Sequence, residues 1–307
     1  MPADDMLFSG FENEDDAELD RVVSWFRYQP DLERRFSGIL RQSIDEVLDG
    51  QRTGRFDVEE LAKTEKTYLG TKVEIICQAE FGFRRGIRMD YRVADVDVDA
   101  KFSLAGQWMI PREAMGHICL LMSASESKST YRVGLVRITE EILTSGGNQD
   151  GKRGISRQGR SAIRWLFEDG VLRENILLKL SGSDRARIMA EPAGQNRVDA
   201  LFLNVQGRIV DRNAVVTAGK QLDAPKRVRD ARKRLQGQGV VILGAQNDSP
   251  RIARTLGLPV PEKGTWLALT LAQAESFDEG PRVDIDGIDY VRVEQGEARG
   301  PAPEVYC

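Results

Sequence analysis

The stretch Asp90-Tyr91-Arg92-Val93-Ala94-Asp95-Val96-Asp97-Val98-Asp99-Ala100-Lys101-Phe102 constrains this chain more than any other. From Val96 to Phe102, apolar residues at 96, 98, 100 and 102 alternate with Asp97, Asp99 and Lys101, the period of a half-buried strand. Asp99 and Lys101 therefore share a face. A two-residue turn at Ala94-Asp95 sets Val93 opposite Val96, Arg92 opposite Asp97 and Asp90 opposite Asp99, with opposed Cβ atoms roughly 5 Å apart. Ala-Asp is not a favoured hairpin turn, and a register slip of one would turn every side chain to the wrong face.

Arg92 with Asp97 is an ordinary cross-strand ion pair. Asp90 with Asp99 sets like charges together, at a cost of about 3 kcal/mol for ~5 Å and an effective dielectric near 20. A divalent cation between the carboxylates offsets that, and Mg²⁺ suits a site where one or two carboxylates leave room for water and a phosphate. An Asp followed by Asp-x-Lys resembles the pattern of the PD-(D/E)xK nucleases, although Met89 precedes Asp90 where that pattern has proline. The short motif also occurs at Glu126-Ser127-Lys128 and Asp150-Gly151-Lys152, neither led by an alternating strand. On these residues alone the strand is either a metal-nuclease site or a solvated face. A third acid, Glu74, falls beside the apolar positions 73, 76, 77 and 81 of a helical stretch leading into the hairpin.

Further residues carry a more specific resemblance. Asp49-Gly50-Gln51-Arg52-Thr53-Gly54-Arg55, Lys63-Thr64-Glu65-Lys66-Thr67, Val73-Glu74-Ile75, Asp90-Tyr91, Val98-Asp99, Lys101-Phe102-Ser103 and Gly116-His117-Ile118-Cys119-Leu120 resemble the NaeI restriction endonuclease family. Glu174-Asn175, Lys226-Arg227-Val228-Arg229, Ile242-Leu243-Gly244 and Leu256-Gly257-Leu258-Pro259-Val260-Pro261 continue the likeness in the same order. The resemblance implies a homodimeric type IIE restriction enzyme that cleaves both strands of a specific duplex site with Mg²⁺, leaving 5′-phosphate ends. Its metal-site residues match Glu74, Asp90, Asp99 and Lys101, with Glu74, Asp90 and Asp99 as ligands. It also implies a helix-turn-helix domain like that of the catabolite activator, an effector copy of the DNA site, a GC-rich palindrome (GCCGGC in the namesake) and a cognate methyltransferase in a prokaryotic host. The family's ligase-like K-x-D-G signature, with its lysine replaced, matches Val47-Leu48-Asp49-Gly50, and valine has no amine to form a lysyl-adenylate.

The expected fold class is mixed α/β: a restriction-endonuclease-like sheet flanked by helices, then a winged helix-turn-helix-like domain. The expected division is an acidic arm (1–20), a nuclease domain (21–172), a linker (173–182) and a DNA-binding domain (183–307). The chain is long enough, at 307 residues, for two cores. The first 20 residues hold eight acids and no Lys or Arg, which predicts a loose arm; setting those eight aside leaves 40 acids against 44 bases. Strands are expected at 116–123 and 131–138, a helix at 157–167, a packed link around Ile176-Leu177-Leu178 and a poorly ordered tail from Gly296. In the second domain, Asn213 to Leu222 suits a helix, Asp223 a cap, and Lys226 to Leu235 a second helix with six bases to one acid. Lys226, Arg227, Arg229, Arg232 and Lys233 are the candidate DNA contacts, with Val240 to Leu243 as the following wing strand.

Three scattered cysteines and a single histidine, His117, exclude a disulfide framework and a multi-histidine metal site. Cys77 and Cys119 read as buried thiols. No apolar run approaches a membrane span, so a cytoplasmic protein is expected. Two alternatives use the same residues differently: a mismatch-repair-like nicking endonuclease, or a non-enzymatic winged-helix regulator whose acids are relics.

Overall fold

The computed structural model describes residues 16–305, which divide into two compact units. The first half of the chain forms α1 (Ala17–Arg27), α2 (Leu32–Leu48), α3 (Gly50–Thr53), α4 (Lys63–Phe81), β1 (Arg84–Arg85), β2 (Tyr91–Val93), β3 (Val96–Ser103), β4 (Met109–Ile110), β5 (Ile118–Ser125), β6 (Thr130–Arg137), β7 (Leu143–Gly147), β8 (Arg153–Ile155) and β9 (Arg164–Val171). The second half forms α5 (Gly182–Ala190), α6 (Gln195–Asn204), β10 (Ile209–Asp211), α7 (Arg212–Gly219), α8 (Ala224–Leu235), β11 (Val240–Leu243), α9 (Ser249–Thr255), β12 (Thr265–Gln273), β13 (Arg282–Ile285) and β14 (Ile288–Val293). This is a mixed α and β chain, as expected.

Unit 1 comprises residues up to Ser43 and Lys66–Arg173. Its main sheet runs β1-β2-β3-β5-β6-β9, with β3 and β5 parallel and the other neighbours antiparallel. The β2–β3 register is Tyr91 with Val98, Arg92 with Asp97 and Val93 with Val96, the pairing expected from the alternation. Ala94 (φ 48°) and Asp95 (φ 63°) both adopt left-handed backbone, which gives the turn the twist that two antiparallel strands need. A small sheet, β4-β8-β7, closes a core of Trp108, Ile110, Cys119, Leu121, Val136 and Ile142. On the helical side, Phe26, Phe36, Phe81, Phe83 and Tyr91 form an aromatic cluster with centroids 5.2–5.9 Å apart.

Three sequence expectations fail in this unit. Residues 157–167 are not a helix: after a short 3-10 turn, Arg164–Val171 pairs with β6, since Gly134 leaves room for the Trp165 ring and Gly170 for the Tyr131 ring. A Cβ at Gly170 would lie 2.4 Å from Tyr131 Cζ. The arm expected over 1–20 lies outside the described residues as far as 15; from Asp16 onward the chain is already a helix cap and helix. Asp16 and Glu18 bind Arg137, and Asp20 binds Arg164. Residues 44–65, expected in the first domain, belong to unit 2 by their contacts. The buried stripe Phe36, Ile39, Leu40, Ile44, Val47 and Leu48 on α2 keeps helical spacing across that division.

Unit 2, residues 44–65 and 174–305 of those described, builds a sheet of β10-β12-β14-β13 with β11 on the other side of β12. Alternation in β11 serves both faces: Val240 and Ile242 enter the helical core with Val198, Phe202, Val215 and Val228, whereas Val241 and Leu243 join Ile252, Leu267 and Val283. The link is packed, with Ile176, Leu177 and Leu180 buried. The tail expected to be loose is docked: Ala302 is buried and its N–H donates to Gln236 O at 2.7 Å. Residues 306–307 lie outside the described residues. Among the described residues no helix is long and apolar enough to cross a membrane.

Candidate active site

The four sequence candidates Glu74, Asp90, Asp99 and Lys101 all fall in unit 1, on α4, just before β2 and on β3. Strand alternation puts Asp99 and Lys101 on one face, and their side chains meet: Lys101 Nζ stands 2.6 Å from Asp99 Oδ2 and also donates to Ala100 O at 3.0 Å. Asp90 Oδ2 accepts the Ala100 N–H at 2.8 Å, which fixes that carboxylate beside β3 one residue from both Asp99 and Lys101. Asp99 is only 6% exposed. Burial pushes its carboxyl above the usual range, with Lys101 opposing and Asp90 adding to the rise. Burial also disfavours the Lys101 ammonium, but the ion pair with Asp99 outweighs it and the amine stays above its ordinary value.

Glu74 senses the same cluster. Burial raises its carboxyl, Asp90 and Asp99 raise it further, and Lys101 opposes them. Its helix is tied to the hairpin by Tyr91, whose buried hydroxyl donates to Glu74 O at 2.8 Å. Consecutive residues at the entry to β2 thus face opposite ways: Asp90 toward the acidic cluster, Tyr91 toward the helix that carries the third acid.

Sequence reasoning missed Cys119. It lies in register with Asp99 across the parallel β3–β5 pair, and its thiol donates to Asp99 Oδ2 at 3.3 Å, while burial pushes the thiol well up. No sequence signal could have found it, because the β3–β5 register is set by tertiary pairing. Cys77 is buried as expected and pushed up to about 12 by that burial. The two decoy motifs part from the cluster: Glu126 is buried in an ion pair with Arg41, and Asp150 is exposed on a turn.

Among the described residues, no three His, Cys, Asp or Glu side chains stand close enough as placed to cage an ion. The donor set still suits a hard cation with few protein ligands: each of Asp90 and Asp99 engages one oxygen, and no bond to the other is found among the described residues.

The helix-turn-helix candidates occupy unit 2. Asp211 caps α7, Lys220 ends it in left-handed backbone, and Asp223 caps α8 by accepting the Lys226 N–H at 3.0 Å. The helix expected from Lys226 begins two residues earlier, with Ala224 and Pro225 in its first turn. Ala224, Val228, Ala231 and Leu235 are its buried stripe. The five candidate DNA contacts do not act alike. Lys226 binds Asp230 at 2.9 Å, Arg227 reaches Gln195 at 3.4 Å, and Arg232 Nε donates to Ile242 O at 2.8 Å. Arg229 and Lys233 are exposed and make no hydrogen bond or close ion pair among the described residues.

Similarity to known proteins extends over nearly the whole chain. A family model described as restriction endonuclease NaeI matches residues 20–301. The type II restriction enzyme NaeI of Lentzea aerocolonigenes is 40% identical over 304 residues, covering 95% of each chain. This chain belongs to the NaeI restriction endonuclease family.

Proposed function

We propose that this protein is a Mg²⁺-dependent type II restriction endonuclease that hydrolyses both strands of a specific DNA site through the Glu74, Asp90, Asp99 and Lys101 cluster. The observation that carries the reading is the Lys101 ammonium held 2.6 Å from Asp99 on the strand face flanked by Asp90. Asp90 and Asp99 would hold the ion, with Glu74 completing its surroundings directly or through water. When bound, Mg²⁺ supplies a Lewis acid that polarises the phosphodiester and acidifies water. Lys101 keeps its proton, orients the attacking water and faces the charge that builds on the phosphorus oxygens. Cys119 donates to Asp99 from the adjacent strand. In-line attack leaves a 5′-phosphate and a 3′-hydroxyl.

Unit 2 reads DNA through α7, the turn at 220–223, α8 and β11, in the manner of a winged helix. Arg229 and Lys233 on the solvent face of α8 meet phosphates, while Lys226, Arg227 and Arg232 also serve the fold. This unit takes a second copy of the site and biases the nuclease unit toward activity, a coupling typically of about 1 to 3 kcal/mol. The enzyme works as a cytoplasmic homodimer beside a methyltransferase that protects the host's own copies of a GC-rich palindrome.

Digestion of a sequenced plasmid with Mg²⁺ tests the reading. Discrete linear fragments are expected, and none with Ca²⁺. Nicked circles alone would favour a nickase, and intact plasmid a regulator.

A further inference from the structure

The β1–β2 hairpin carries a charge pattern that neither the fold nor the cluster explains. Arg84, Arg85 and Arg88 are exposed, and none makes an ion pair among the described residues. Arg84 lies directly opposite Arg92 in the β1–β2 register, a like-charge pair that destabilises a sheet unless an anion lies across it. Arg92 is answered from the other side by Asp95 at 3.5 Å and Asp97 at 3.6 Å; Arg84 is not. Alternation places Arg84, Arg92, Asp97, Asp99 and Lys101 on one face of the sheet, so the arginines lie along the acidic cluster toward the sheet edge.

The loop between these strands is held rigidly. Asp97 accepts the Ile87 and Arg88 N–H groups at 3.1 and 2.8 Å, and Gly86 sits where a Cβ would lie 2.3 Å from Met89 O. Burial alone would raise the Asp97 carboxyl, but those two N–H groups and Arg92 hold it below the usual range. At the tip, Ile87 is 80% exposed, an apolar side chain among arginines only three residues before Asp90. A solvated loop has no use for a rigid, apolar tip.

We propose that this hairpin is the DNA-contacting arm of the nuclease unit. Arg84 and Arg88 take backbone phosphates beside the one to be cut, and Ile87 lies against the bases in the groove. Phosphate contacts fix register without reading sequence, so the arm sets which phosphate reaches Lys101. This rests on the nuclease reading and adds a DNA-binding surface that composition alone did not single out.

The test uses the full chain, Ca²⁺ and a short fluorescent duplex carrying GCCGGC, with a scrambled duplex alongside. Replacing Arg84 and Arg88 together by Ala should lower the slope of log affinity against log salt by roughly 2, about 0.9 for each phosphate that the variant no longer neutralises. Replacing both by Lys should keep the slope, which shows that charge and not folding was removed. Ile87→Ala should weaken binding by the same factor at every salt concentration. An unchanged slope in the alanine variant on both duplexes, or wild-type affinity of Ile87→Ala throughout, overturns the proposal. The nuclease reading fails separately, if wild-type protein leaves plasmid uncut in Mg²⁺, and the slope remains measurable in that case.

Discussion

In the β2–β3 hairpin, charges are forced together by strand pairing; along α8, charges are spread around a helix, and most find their own partners while others face solvent. The hairpin offers little choice. Once Val93 meets Val96, Asp90 must lie beside Asp99 and Lys101, and the repulsion between the acids persists until something binds there. Helix α8 offers a great deal: a long side chain at any position can reach several neighbours. Lys226 turns along the helix to Asp230, Arg232 turns to a β11 carbonyl, Arg234 crosses to Asp199 at 2.5 Å, and Arg229 reaches into solvent. Function therefore concentrates where geometry leaves charges unbalanced. A count of bases does not measure it.

The largest effect that could break this contrast is at the cluster. Asp99→Asn and Lys101→Ala should each slow plasmid cleavage by at least about 10²-fold. Both should keep specific DNA binding in Ca²⁺ within about tenfold, as measured by fluorescence anisotropy, because phosphate contacts elsewhere hold the duplex. A Lys101→Ala enzyme that cuts at close to the wild-type rate would mean the balance lies elsewhere.

Next in size is a split within α8. Arg234→Ala leaves the Asp199 carboxylate without its closest cation and should cost about 1 to 2 kcal/mol in denaturant unfolding. Arg229→Ala should change stability by less than about 0.5 kcal/mol, yet reduce the salt slope of DNA binding by roughly 0.9. Equal stability losses for the two would erase the distinction between structural and free bases.

The hairpin turn gives a smaller test. Ala94 holds φ 48° with no polar side chain to favour it. Ala94→Gly should raise stability by about 0.5 to 1 kcal/mol in the same unfolding assay, with cleavage unchanged. Destabilisation would show that the observed register is not what fixes the cluster.

The smallest effect concerns an ion pair outside both regions. The Arg137 hydrogen bond holds the Asp16 carboxyl below its usual range against the opposing effect of burial. A depressed carboxylate contributes stability above its unfolded pKa, near 4, and loses it as pH falls through the lower folded value. Asp16→Asn should thus lower the melting temperature slightly at pH 7, and the gap from wild type should close below about pH 4. A gap that persists in acid would show that Asp16 works through its helix cap, where Oδ1 accepts the Leu19 N–H at 3.0 Å.

The sequence by itself determined what depends on neighbours in the chain. The alternation from Val96 to Phe102 fixed faces, the turn at Ala94-Asp95 fixed the β2–β3 register, and Asp223 marked the cap of α8. Its likeness to the NaeI family, carried by residues from Asp49 to Pro261, named the chemistry as well. Tertiary structure alone decided what depends on distant pairing. Residues 164–171 became a strand because β6 offered Gly134 as space for Trp165, Cys119 reached Asp99 through the parallel β3–β5 register, and Ala302 brought the tail down onto Gln236. Local patterns set which way a side chain points. Which partner it meets is set by hydrophobic burial and strand pairing across the whole unit, and these override local propensity wherever the two disagree.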